Sequence, residues 1–234
     1  MVGGARELLP PATFHAMEGT RLVQRYSPAT RAWARDPDLP AQLFEGCAVA
    51  TPRGLVVIGE FEAGAANSYV LEAGGRWAAL PLSHYRHTSP ACSLATLGND
   101  TGVVAVSGNS VEMLVLSSGN STDNSSNSTG WRWQLLPAPT VSRSASVAAS
   151  LGVSLGRLVL TGGVDLASGE VSGVVEVWDE AAAGWRPQQR RQPAPTFRHA
   201  VTSLAVRYMD TSSIHYHIHI RDIFKDSYTY TNFS

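Results

Sequence analysis

The sequence predicts an all-β fold made of repeated, short-stranded units, and three observations predict it. A tryptophan recurs at Trp33, Trp77, Trp133 and Trp185, at intervals of 44, 56 and 52 residues. Between these anchors lie short runs rich in Val, Leu and aromatic residues, bounded by Gly, Pro, Asn or Asp, which suits strands rather than helices. No window sustains a helical period between good caps.

The elements fall in the same order in each copy. The first run after an anchor is Cys47-Ala48-Val49-Ala50-Thr51, then Cys92-Ser93-Leu94-Ala95-Thr96, then Ser146-Val147-Ala148-Ala149-Ser150. The second is Leu55-Val56-Val57-Ile58-Gly59, Val103-Val104-Ala105-Val106-Ser107-Gly108 and Leu158-Val159-Leu160-Thr161-Gly162-Gly163. The third is Asn67-Ser68-Tyr69-Val70-Leu71, Val111-Glu112-Met113-Leu114-Val115-Leu116 and Val174-Val175-Glu176-Val177-Trp178. Tyr26 and Trp178 each precede an anchor tryptophan by seven residues, so the first copy is present as its tail. The longest interval holds the polar stretch SSGNSTDNSSNSTG, residues 117–130, which reads as an inserted loop.

A period of about 45 to 50 residues carrying four short strands is the pattern of a propeller blade. A single blade cannot hide both faces, so neighbouring blades stack and bury their small and branched residues together; the anchor tryptophans are expected between them. Tyr26-Ser27-Pro28-Ala29-Thr30-Arg31-Ala32-Trp33 resembles the kelch consensus of an aromatic, a turn and a tryptophan. Leu158 to Gly163 resembles its strand ending in a glycine pair, and Arg86-His87, Arg143-Ser144 and Arg198-His199 resemble the residues that open a kelch repeat. The resemblance covers 21–207 and implies a kelch-type β-propeller. Residues 1–20 then form an irregular N-terminal segment, and 208–234, without Gly, Pro or Ala, an unrelated tail.

Residues 44–77, 88–133 and 144–185 make three complete copies, with the end of an earlier one at 21–33 and the start of a later one at 199–207. Propellers close with four to eight blades, so an incomplete propeller is expected. The glycine pair stands at Gly162-Gly163, whereas Gly59-Glu60 and Gly108-Asn109 occupy the matching places and imply a different turn there. Glycine reaches positive φ without steric cost, which is what such a turn asks.

Composition narrows the function classes. The chain has 234 residues, 16% of them charged, with a formal net charge of −1. That balance gives no electrostatic footprint for nucleic acid, and no apolar stretch is long enough for a membrane-spanning helix. The first 20 residues lack the apolar core of a signal peptide, which favours a cytoplasmic address. Against that, Asn99, Asn120, Asn124, Asn127 and Asn232 each begin an N-x-S/T sequon, which points to an extracellular or lumenal alternative. Cys47 and Cys92 are the sole cysteines and occupy matching positions; two buried small hydrophobes are expected, with a disulfide as the alternative. His215, His217 and His219 alternate and would share one face of a strand, but with no Cys or carboxylate nearby they read as an amphipathic segment rather than a zinc site.

No phosphate loop, triad or carboxylate pair emerges, so no catalytic residue, cofactor or metal is expected. The resemblance implies a protein-binding adaptor or scaffold, since rigid strands present loops for recognition. A cullin ligase role would need a BTB or F-box segment, which the first 20 residues do not resemble. Arg86, Arg143 and Arg198 recur at the junctions before successive copies; a structural role is expected of them first, and they are also the candidates for surface recognition. Alternatives carried by the same fold are a secreted propeller that binds glycans, or a galactose-oxidase-like or sugar-mutarotase enzyme.

Overall fold

The computed structural model describes residues 5–7, 17–116, 130–141, 143, 149–154, 156–165, 167–188, 199–205, 216–222 and 229–231. All regular structure in them is strand. Strands β1 (Ala5–Glu7) and β2 (Met17–Gly19) pair, as do β3 (Gln24–Ser27) and β4 (Ala32–Arg35). Three four-stranded sheets follow. The first holds β5 (Leu43–Thr51), β6 (Gly54–Phe61), β7 (Ser68–Leu71) and β8 (Trp77–Ala79). The second holds β9 (Ala91–Leu97), β10 (Asp100–Ser107), β11 (Ser110–Leu116) and β12 (Trp131–Leu136); the third holds β13 (Ala149–Ser154), β14 (Arg157–Gly162), β15 (Glu176–Asp179) and β16 (Gly184–Pro187). Strands β17 (His199–Ala205), β18 (Tyr216–Asp222) and β19 (Thr229–Thr231) make a last sheet. In every sheet the strands lie side by side in chain order.

The chain forms two compact units, Met1–Ala105 with Glu112–Leu135, and Val106–Val111 with Leu136–Ser234. In the first unit β6 is buried on both faces, which is why it reads as a continuous apolar run. Val56 and Ile58 join one cluster with Val70, Leu80, Val103, Leu114 and Trp133. Leu55 and Val57, on the opposite face, meet Val23, Leu43, Phe61 and Tyr69. The strand period of two thus ties consecutive sheets into one core.

Turn chemistry explains the registers. In β3–β4 the turn Pro28-Ala29-Thr30-Arg31 ends on a left-handed residue, Arg31 at φ 51°, and sets Tyr26 opposite Trp33. In β15–β16 the turn likewise ends at Ala183, φ 46°, with Asp179 Oδ1 accepting from the Ala181 and Ala182 amides, and sets Trp178 opposite Trp185. Both aromatic pairs are in ring contact, at 5.3 Å and 5.6 Å. Seven-residue spacing is therefore the mark of one hairpin used twice.

Two expectations are revised. The first strand of the third sheet is β13, Ala149–Ser154, which ends four residues beyond the run that Trp133 spacing picked out; residues 146–148 of that run lie outside the described residues. Ser154 pairs with Arg157 across a tight turn, with Gly156 at φ 74°, and that turn fixes register from the strand's far end. Gly59 makes no turn: β6 runs through it, and a side chain there would reach within 2.3 Å of the Glu45 carbonyl oxygen, so glycine serves close strand approach. Gly108 does turn, at φ 62°, between β10 and β11, while Gly162 and Gly163 both take positive φ. Residues 5–7 and 17–19 form the β1–β2 pair, and beyond β17 the chain adds β18, which pairs with β17 from Ala205↔Tyr216 outward, and β19, which pairs with β18. No helix among the described residues is long and apolar enough to cross a membrane.

Candidate functional site

The chain's buried charge is organised by the repeat. Glu112 on β11 and Glu176 on β15 occupy the same place in their sheets, and neither has any exposed surface. A carboxyl group taken from water must be met by donors, and both are met by the segment that follows the preceding anchor. Glu176 accepts from the Thr140 amide and hydroxyl, each at 2.6 Å, and is bridged by the Arg143 guanidinium. Glu112 accepts from the Tyr85 amide at 2.9 Å, the His84 amide at 3.1 Å and His84 Nδ1 at 2.8 Å. His84 and Thr140 both stand seven residues past their tryptophan, and His87 and Arg143 both stand ten past it.

Arg143 and His87 therefore hold one position with different chemistry. Arg143 also donates Nε to the Gly162 carbonyl at 3.0 Å and a terminal nitrogen to the Val141 carbonyl at 3.1 Å. His87 is fully buried against Trp133, 5.5 Å between ring centroids, with its Nε2 3.7 Å from Glu112 Oε1, beyond hydrogen-bond reach. Neither of its ring nitrogens has a hydrogen-bond partner among the described residues.

Burial holds the His87 imidazole below its ordinary pKa, with the Glu112 charge opposing in part. A depressed base is charged more readily unfolded than folded. Its neutral form thus supports the fold fully above the unfolded value, about 6.5, and that support is lost as pH falls toward the folded value. Urea unfolding of the first unit should show stability falling below pH 6.5, at a steepest slope of about 1.4 kcal/mol per pH unit. His87→Gln should flatten that slope; equal slopes in both proteins would refute the assignment.

The three arginines expected at a recognition surface part company. Arg143 is buried and belongs to the core lock, so it is corrected from recognition candidate to the structural role: its guanidinium makes four hydrogen bonds, to Glu176 and to the Gly162, Val141 and Val174 carbonyls. Arg86 is exposed and pairs with Glu60 at 3.0 Å. Arg198 lies outside the described residues. So do Asn120, Asn124, Asn127, Asn232 and His215, whereas Asn99 sits exposed in the two-residue turn between β9 and β10. His217 and His219 lie on β18, and among the described residues no three His, Cys, Asp or Glu side chains gather as a metal site.

Cys47 and Cys92 form a disulfide between β5 and β9, with Cα atoms 5.9 Å apart, in place of the two free thiols expected. The first strands of these adjacent sheets pack side by side, which brings matching repeat positions within bonding reach.

The anchors show a staple that sequence reading missed. Trp77, Trp133 and Trp185 donate their indole N–H to the carbonyls of Pro37, Pro81 and Pro137, at 2.9, 2.8 and 3.1 Å. Each proline stands four residues past the preceding anchor, so the signal was a W-x-x-x-P spacing, at Trp33-Pro37, Trp77-Pro81 and Trp133-Pro137.

No family model matches the sequence, and no curated protein does. Solved structures share the fold. The structure of YjhT superposes with a TM-score of 0.62 over 99% of this chain and 80% of that one, at 14% identity. Likeness at that identity is one of backbone architecture, so residue roles rest on the geometry above.

Proposed function

We propose that the chain is a run of kelch-type propeller blades serving as a protein-binding module. The supporting observation is that both buried carboxyl groups are taken up in locking a sheet to the segment before it, which leaves recognition to the exposed loops and rims. Chain-order sheets, first strands packed as neighbours in β5–β9 and β13–β17, and the indole–proline staples fit stacked blades.

A second reading concerns compartment. The Cys47–Cys92 disulfide favours an oxidising one over the cytoplasm, and the exposed Asn99 sequon agrees. The protein is therefore proposed as an extracellular or lumenal module.

One preparation tests both readings: tagged chain routed through the secretory pathway of cultured animal cells and purified under crosslinking. A copurifying protein, copper far below one equivalent, and a mobility shift on deglycosylation that Asn99→Gln diminishes are expected. Stoichiometric copper without bound protein would transfer the case to the galactose-oxidase-like alternative, and an unshifted chain with free thiols would end the lumenal one.

A further inference from the structure

We propose that the groove beside Trp33 docks an extended, proline-bearing segment of a partner protein. This deepens the reading as an interaction module and rests on it. The groove, about 670 Å³, is lined by Tyr26, Trp33, Pro37, Leu55 and Leu71, with Glu72 among its polar residues.

The occupant is identified by the protein's own contacts. In the third sheet Trp185 lies opposite Trp178 across the same kind of four-residue turn, is 6% exposed, and donates to the Pro137 carbonyl. Trp33 lies opposite Tyr26 in the matching hairpin, yet is 57% exposed and donates to no acceptor among the described residues. Tyr26, in contact with it, is 45% exposed. Three of the four anchor indoles bind a proline carbonyl, and the fourth, on an exposed residue, has no acceptor among the described residues.

Proline suits this place for physical reasons. Its tertiary amide carries no N–H, so a proline segment cannot pair with itself, and its restricted φ lowers the entropy lost on docking. Aromatic grooves with an indole donor are a recurring receptor for such segments. Arg25 and Asp36 neutralise each other at the groove, 3.1 Å apart, and Glu72 leaves it weakly acidic, which favours a neutral or basic segment.

The test follows the indole N–H itself. A synthetic peptide with the sequence of Leu135–Pro139, LLPAP, is titrated into ¹⁵N-labelled chain, and the six tryptophan indole resonances are recorded. The resonance absent from Trp33→Phe should shift saturably, an LLAAA peptide should bind at least tenfold more weakly, and Trp33→Phe should not bind while keeping its other five resonances. No shift, or equal binding by Trp33→Phe, would overturn the groove. A Trp33 resonance that moves with protein concentration alone would overturn it in favour of a second copy of the chain. If a purified partner binds but Trp33→Phe leaves its affinity unchanged, the groove falls and the interaction module stands; if no partner binds at all, the module falls.

Discussion

Replacing Arg143 by methionine is expected to destabilise the second unit by about 3–5 kcal/mol, the usual cost of removing one partner from a buried ion pair. The magnitude comes from what is left behind. Glu176, which has no exposed surface, keeps its Thr140 donors but loses the guanidinium; the buried Gly162 carbonyl and the half-buried Val141 carbonyl lose theirs as well. Urea unfolding read through Trp178 and Trp185, which sit in this unit, measures the loss. Arg143→Lys should recover part of it, since an ammonium restores charge but not the planar fork that reaches several acceptors at once. Arg143→Met with Glu176→Met should be markedly more stable than Arg143→Met alone, because no unpaired carboxyl group remains. A single substitution costing less than about 1 kcal/mol, the value of an exposed pair, would show that the lock is not closed in solution.

Strands were legible where local physics decides them. Val-rich runs between glycine, proline and aspartate stops became β6, β10, β11 and β14 close to the expected limits, and the seven-residue aromatic spacing became two matching hairpins. Register was legible only in part. Spacing counted from Trp133 ended the third sheet's first strand four residues early, because a loop adds length without adding rise, whereas the turn at Gly156 fixes pairing from the other end. The buried locks went unread for a related reason. Glu112 and Glu176 each stand inside an apolar run, and a carboxyl group at one repeated position there requires a repeated donor. Arg143 was matched to Arg86 by residue type. Counting ten residues from the tryptophan matches it to His87, and the structure follows the count.

Breaking the Cys47–Cys92 bond is the second large effect, expected at about 4 kcal/mol on the loop-closure estimate for its 45-residue separation. Sequence spacing could not choose between a bond and two buried thiols, since residues 45 apart approach only if β5 and β9 become neighbours. Once they are neighbours, the crosslink restricts the unfolded chain from residue 47 to residue 92 of the first unit, and its sulfurs border the cluster of Val56, Ile58 and Val103. Cys47→Ala with Cys92→Ala should lower the urea midpoint of that unit and make unfolding indifferent to dithiothreitol. Wild-type protein should fall to the same midpoint when reduced. A midpoint unmoved by reductant would mean that the bond contributes nothing, and would remove the main support for an oxidising compartment. A loss near the expected size has the opposite consequence. Since whole domains are stable by about 5–15 kcal/mol, a first unit short of about 4 kcal/mol would be marginal in a reducing cytoplasm, and the rigid sheets that hold the Trp33 groove would depend on the bond.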